Sequence, residues 1–276
     1  MKMPSTTAPS LFDRSALALH RKRARDEALF LHRAAVDEVQ DRLSMVNKTF
    51  KAPAVVTPFP QIWAGVWPDA RIIPDDEVLD LPPGAHDLVI HAMALHWAND
   101  PVGQLIQCHR CLQPDGLLLA VSLGGETLQE LRAVMGQAEI EATGGLSPRV
   151  APMAELRDMG ALLQRAGLAL PVADKAVLTA EYRDLRHLMH DLREMGETNA
   201  LADRLKRPTR QVVFDTAQKL YATHFATSAG RLRATYELIC LTGWAPDDSQ
   251  PKPLRPGSAQ MRLADALGTD EGKLPD

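Results

Sequence analysis

The stretch from His86 to Arg132 constrains this chain more than any other part of it. Leu88-Val89-Ile90 is a short apolar run without alternation, the mark of a strand covered on both faces. Asn99 and Asp100 can cap a helix that Pro101 opens, because a proline's missing N–H and fixed φ suit the first helical position. Val102, Leu105, Ile106, His109 and Leu112 then fall on one stripe of that helix. Pro114-Asp115-Gly116 predicts a turn, and Leu117 to Leu123 is a second continuous apolar strand. Gly124-Gly125 breaks that strand, and helix resumes from Glu126. Strand, helix and strand at this spacing make a βαβ crossover, so the sheet is parallel here and the fold class is α/β.

Length and composition set the remaining bounds. A chain of 276 residues can bury the core of one large α/β domain. A net charge of −4 and a pI near 6.1 give no reason to expect nucleic acid as a partner. No apolar run is long enough to span a bilayer, and the N-terminus lacks the continuous apolar core of a secretory signal. Three cysteines suit a reducing compartment without a disulfide framework. The expected organisation is a flexible leader over 1–14, a helical segment over 15–48, an α/β domain over 49–245 and a Pro-rich tail over 246–276. In the helical segment Ala28, Leu31, Ala35, Val39, Leu43 and Val46 recur at helical spacing. The basic run from His20 to Arg25 reads as a solvated helix face. Its alternative reading is a docking surface for an acidic protein or, as a peripheral membrane contact, an anionic lipid.

Further on, Met153 to Ala166, Asp184 to Met195 and Arg210 to His224 read as helices, and 172–180 as a strand. Thr235 to Trp244 alternates well enough for a closing strand, with Cys240 in the core.

The motifs in these elements carry a resemblance. A strand reading DLV, a tail reading LHW and then LxPDGxLL resemble the second half of a class I S-adenosylmethionine-dependent methyltransferase. That implies a Rossmann-like, mostly parallel sheet with an antiparallel C-terminal strand. The longer series LHWxND, LxPDGxLL, GGxTLxELR and GGxSPxxxP is narrower. With Phe12-Asp13-Arg14, MHDLREMGETN over 189–199 and ATYELICLTGWAPDDSQPKPLRPGSA over 234–259, it resembles the family of the fifth complex I assembly factor, found in mitochondria and alphaproteobacteria. The resemblance implies S-adenosylmethionine as cofactor. It also implies a protein client, an arginine-bearing iron-sulphur subunit of respiratory complex I, modified by methylation or hydroxylation. The implied location is the bacterial cytoplasm, or the mitochondrial matrix in a eukaryote. Two other readings stand beside it: a pseudoenzyme that binds a client without cofactor chemistry, and a small-molecule methyltransferase acting on an acyl-carrier-bound acid, as in the related biotin-pathway family.

Against that family, residues 47–85 are anomalous. Such a domain needs a DxGxGxG loop after its first strand, where only glycine permits both the turn and the close approach of backbone to cofactor. Here the first strand, Ala54-Val55-Val56, runs into Thr57-Pro58-Phe59-Pro60-Gln61-Ile62-Trp63, with no glycine before Gly65. The prolines remove N–H donors where the loop would need them. Only about 30 residues separate Val56 from Asp87, whereas one βαβ unit takes roughly 30 or more. The first βαβ portion is therefore shortened, and the spacing predicts loss of the first crossover helix, the second strand and the next helix. Arg71 to Pro74 is left as an edge strand or loop. Asp75, Asp76, Glu77 and Asp80 are candidates for the missing ribose-binding acid or else solvated surface acids. Trp63 and Trp67 fill the vacated space or cover an adenine.

The site candidates follow from place and chemistry. His96 and Glu126, beyond the ends of two central strands, are the acid-base candidates. Asp87, His91 and Trp97 are assigned to the cofactor, and Arg132, Arg149 and Glu197 to the substrate. Arg132 has an ion pair with Glu126 as its alternative role. The loop from Gly144 to Arg149 is expected to close over the cleft. Cys108 and Cys111 form a C-x-x-C inside a helix without a second pair to complete a zinc site, and His187 and His190 lack a third ligand, so no metal is expected.

Overall fold

The computed structural model describes residues 10–251 together with 265, 268 and 269. The first nine residues of the expected leader and the matched stretch Arg255–Ser258 lie outside the described residues. The chain divides into Met1–Pro246, which holds the elements below, and Asp247–Asp276.

Helix α1 (Arg14–Arg21) opens on Asp13, whose carboxylate accepts the Ala16 N–H at 3.0 Å. Phe12 to Arg14, the end of the expected leader, is therefore anchored structure. Helix α2 (Phe30–Met45) buries Leu31, Ala35 and Val39 of the expected stripe, with His32 and Val36 beside them. Strand β1 (Pro53–Val56) leads to helix α3 (Pro60–Ala64) and then to strand β2 (Arg71–Ile73), which pairs parallel with β1. This corrects the expected loss. The crossover helix is compressed to five residues starting on Pro60, and the second strand survives as a three-residue edge. Only Thr57, Pro58 and Phe59 separate β1 from α3, and proline at the first helical position starts the helix there, which is how so short a span closes a parallel crossover. Trp63 is buried in the core and stacks on Trp67 at 5.6 Å, so it fills space here.

Strand β3 (His86–Ala92), helix α4 (Pro101–Cys111) and strand β4 (Leu112–Leu123) form the expected parallel unit, with Asp100 capping α4 through the Gly103 N–H at 2.8 Å. The Pro114–Gly116 turn is instead a bulge inside β4. Asp115 has φ +58°, and the register slips between the pairs His86–Leu112 and Leu88–Leu117. The buried face of α4 is Gln104, Leu105, Cys108 and Cys111. It is rotated from the expected stripe because His109 turns toward the next layer and bonds the Ala166 carbonyl at 2.8 Å.

Helix α5 (Gln129–Thr143) starts three residues later than expected. Gly124 N–H and Leu128 N–H bond to Glu237 and Thr235 carbonyls at 2.9 and 2.7 Å, so the segment follows a strand rather than a helix. Helix α6 (Leu156–Arg165), strand β5 (Ala169–Tyr182), helix α7 (Leu185–Glu194), helix α8 (Gln211–Phe225) and strand β6 (Leu232–Trp244) complete the fold. The sheet order is β2-β1-β3-β4-β6-β5, with β6 antiparallel to both neighbours. One face carries Leu88, Ile90, Leu117 and Leu119 against α2, α5, α7 and α8; the other carries Val89, Leu118 and Ala120 against α4 and α6. This three-layer arrangement leaves the carboxyl ends of β1, β3 and β4 on one edge, where open α/β sheets hold their ligands.

Candidate functional site

Beyond the carboxyl end of β3 the chain makes a short helical turn, Leu95–Trp97. From it His96 and Trp97 reach Glu197, a hundred residues downstream. Trp97 Nε1–H donates to Glu197 Oε2 at 2.7 Å, and His96 Nε2 lies 3.3 Å from the same oxygen. The backbone N–H of Leu123, at the end of β4, donates to His96 Nδ1 at 3.4 Å. Nδ1 is thus the acceptor nitrogen, and Nε2–H faces the carboxylate. Gly196 aims Glu197 at this spot. It ends α7 at φ +81°, and a Cβ there would sit 3.2 Å from the Arg21 backbone, so glycine is required by both conformation and space.

The Glu197 side chain is 6% exposed. Burial alone would raise its pKa, but the field and the Nε2–H hydrogen bond of His96, with Arg21 farther off, hold it below the ordinary carboxylate value. Both bonds land on Oε2, which leaves Oε1 for an incoming donor. A cavity of about 350 Å³ opens beside it. Its walls include Leu31, Leu128, Leu131, Met189, Phe214, Tyr236 and Trp97, and Glu197 is its one anionic lining residue among the described residues.

The matched motifs converge on this place. Phe12 N–H donates to Asn99 Oδ1 at 2.8 Å while Asn99 Nδ2 donates back to the Phe12 carbonyl at 3.2 Å. Phe12 also meets the Trp97 ring edge-on at 5.1 Å, and Asn199 Nδ2 donates to the Pro148 carbonyl at 2.7 Å. Phe12, Asn99 and Asn199 were not singled out from the sequence as site residues, although each lies in a matched motif. His32 was missed with no motif to flag it. It is buried with neither ring nitrogen partnered, and burial lowers its pKa to about 4 despite the Glu197 charge.

Other candidates stand elsewhere. Glu126 lines neither this cavity nor its neighbour at α4; its carboxylate pairs with Lys175 of β5 at 3.2 Å, and that bond keeps it ionised. Lys175 also binds Glu237, at 2.8 Å, so Glu126 belongs to a surface charge cluster and not with His96. Arg132, exposed, reaches the carbonyls of Gly125 and Ala151 at 3.4 and 3.5 Å instead of Glu126. Arg149 lines the cavity, but its guanidinium is spent on Glu139, at 2.6 and 2.9 Å, and on Thr209. Asp87 is misplaced for a cofactor role. It sits at the amino end of β3 and accepts the N–H groups of Lys51 and Ala52 at 2.6 and 2.9 Å, on the opposite edge of the sheet. His91 is buried on the α4 side, bonded to Gln104 at 3.2 Å, and lines a second cavity of about 360 Å³. Cys108 and Cys111 are free buried thiols whose pKa values burial pushes up, and no group of metal ligands forms among the described residues.

The cofactor expectation meets an obstacle at the β1 edge. After β1, Thr57 Oγ1 accepts the Phe59 N–H at 3.3 Å, and Pro58 and Pro60 have none to offer. Phe59 and His32 are buried here, ring edge to face at 4.7 Å, and take up the space. Asp75, following β2 where the ribose acid would stand, is 7% exposed and held by Arg14 at 3.2 Å and Arg21 at 2.7 Å. These residues do not fit the usual S-adenosylmethionine cradle.

Sheet order, the antiparallel β6 and a ligand-sized cavity at the carboxyl edge define a Rossmann-like α/β protein of the methyltransferase class. The methyltransferase-domain family matches residues 67–120, a span that begins after the turn lacking glycines. The chain belongs to the class I methyltransferase-fold family. It is 35% identical over 72% of its length to arginine-hydroxylase NDUFAF5, mitochondrial, of Danio rerio, and it spans 61% of that relative's length. It is 32% identical to the malonyl-[acyl-carrier protein] O-methyltransferase of Gallionella capsiferriformans, over 73% of this chain and 67% of that one. Among solved structures, the YcgJ protein of Bacillus subtilis aligns with a TM-score of 0.43 at 14% identity, covering 85% of this chain and 100% of that one.

Proposed function

We propose that this chain recognises an arginine side chain of a protein client in the Glu197 cavity. The client we propose is an iron-sulphur subunit of respiratory complex I during its assembly, in the bacterial cytoplasm or, in a eukaryote, the mitochondrial matrix. One observation carries the reading: an ionised carboxylate with a free oxygen stands at the head of an apolar, aromatic-lined cavity. A guanidinium is planar, donates to a carboxylate, stacks on aromatic faces and sheds water more easily than an ammonium. Trp97 and His96 hold Glu197 in place through the oxygen the ligand does not need. The chemistry attached to recognition is, by the name its arginine-hydroxylase relatives carry, hydroxylation of that side chain. Client binding without cofactor chemistry is the second reading, and the filled β1 edge favours it. An acyl-carrier-bound acid suits the cavity poorly, since its carboxylate would face Glu197.

The test is calorimetric titration with short peptides that differ only in arginine or citrulline, which is isosteric and uncharged. The arginine peptide is expected to bind at least about tenfold more tightly, because citrulline can still donate N–H groups but brings no charge to meet the buried carboxylate. Glu197→Gln should abolish the preference. Equal binding of the two peptides to the unaltered protein would end the reading.

A further inference from the structure

Next to the Glu197 cavity lies a smaller one, of about 170 Å³, lined by His20, Arg23, Arg193 and Thr198. Arg193 and Thr198 line both. The two cavities are therefore neighbours: Glu197 is the acid of the larger, while Arg23 and Arg193 line the smaller with no acid beside them.

The positive charge of the smaller cavity is uncompensated. Neither Arg23 nor Arg193 has a carboxylate partner among the described residues, and both are exposed. The acids around them are already engaged. Glu194, beside Arg193 in sequence, pairs with Arg25 at 3.3 Å; Asp13 pairs with Arg204 at 3.0 Å; Glu139 pairs with Arg149 at 2.6 Å. The basic run 20–25 is thereby sorted by the fold. Arg21 turns inward to Asp75 at 2.7 Å, Arg25 is spent on Glu194, and Arg23 alone of these three faces the cavity. Burial and the positive charges of Arg204 and Arg23 lower the pKa of His20, so that ring is a neutral polar wall here.

We infer that the client carries an acidic side chain close to its arginine, and that this carboxylate docks on Arg23 and Arg193. The inference rests on the arginine reading of the Glu197 cavity and specifies the sequence around the arginine. Two guanidinium forks suit one carboxylate in bidentate geometry, which two ammonium groups would not. In an extended segment, side chains two positions apart leave the same face about 7 Å from each other, a separation suited to neighbouring cavities. An anionic membrane is the poorer occupant. A bilayer attracts a broad array of cations on an open face, whereas Arg23 and Arg193 line a concavity.

The experiment uses the full chain and four short Ala/Ser peptides, pairing Arg or citrulline with Glu or Gln two positions away. At low salt, changing Glu to Gln in the arginine peptide is expected to weaken binding about five- to tenfold, as for a charge-assisted contact at a partly exposed site. The R23Q protein, altered at the arginine that lines the smaller cavity alone, should lose most of that difference while keeping its preference for arginine over citrulline. Equal binding of the Glu and Gln peptides to the unaltered protein overturns this inference and leaves the arginine reading intact. An acid effect that persists undiminished in R23Q also overturns it. Loss of the arginine preference, or no binding by any peptide, brings down the earlier reading and this one with it. Phosphatidylserine vesicles are titrated alongside. Binding to them that R23Q weakens, with no peptide acid effect, assigns the site to lipid instead.

Discussion

Glu139 is the clasp that fastens the 144–150 loop over the cavities, and it makes a pH-dependent prediction. Its carboxylate takes Arg149 Nη2 at 2.6 Å, Ser147 Oγ at 2.6 Å and the Ser147 N–H at 2.9 Å. Burial opposes ionisation, yet these donors hold its pKa at about 2 against an ordinary 4.5. The folded value is the lower one, so the contribution to stability is complete above pH 4.5 and disappears as the pH falls through about 2. Each pH unit between the two values is worth about 1.4 kcal/mol, and with some loss to solvent screening the total is about 2–3 kcal/mol. Urea unfolding of the wild type and Glu139→Gln across pH 2–7 measures it. Other depressed carboxylates titrate in the same range, so the informative quantity is the difference between the two proteins. That difference should be about 2–3 kcal/mol at pH 6 and close to nil near pH 2. A difference that stays flat across this range, or is absent at pH 6, would refute the argument that ionised Glu139 fastens the loop.

Asp75→Ala removes the anion that Arg14 and Arg21 share and leaves Arg21, with a side chain 12% exposed, without a counter-charge. The expected loss by urea unfolding is about 3 kcal/mol, largely recovered in Asp75→Leu/Arg21→Met, where the buried pair is replaced by apolar groups. Additive losses in that double variant would count against a coupled pair. Titration with S-adenosylmethionine is expected to give no saturable heat up to about millimolar ligand. Micromolar binding would mean that Phe59, His32 and Asp75 rearrange to admit the cofactor, and would return methyl transfer to the front.

Local pattern carried much of the fold. The β3–α4–β4 unit was legible because its signals are short-range: an apolar run, Asp100 with Pro101, a second apolar run. The helix at 211–225 and the closing strand were legible for the same reason. The errors arose where distant chain decided local structure. Leu128 adopts φ +54° because Thr235 takes its N–H, and β2 exists because β1 offers it an edge. At the site, His96 and Trp97 were visible beyond a predicted strand end, and Glu197 as part of a motif, but the bonds joining them cross a hundred residues. Asp87 and Glu126 were assigned by charge and proximity to strands. The first lies at the wrong end of its strand, and the second points toward Lys175.

The paired bonds between Asn99 and Phe12 have a bearing on maturation. Asn99 treats Phe12 as one strand treats another, giving and taking a bond, and Phe12 also bridges Leu201 and braces Trp97. A proteolytic cut upstream of Leu11 would leave these contacts alone. One placed a few residues later would detach the brace of Trp97 and the cap of α1 together. Any processing enzyme that trims this chain therefore has its last permissible cleavage point set by an asparagine almost ninety residues away.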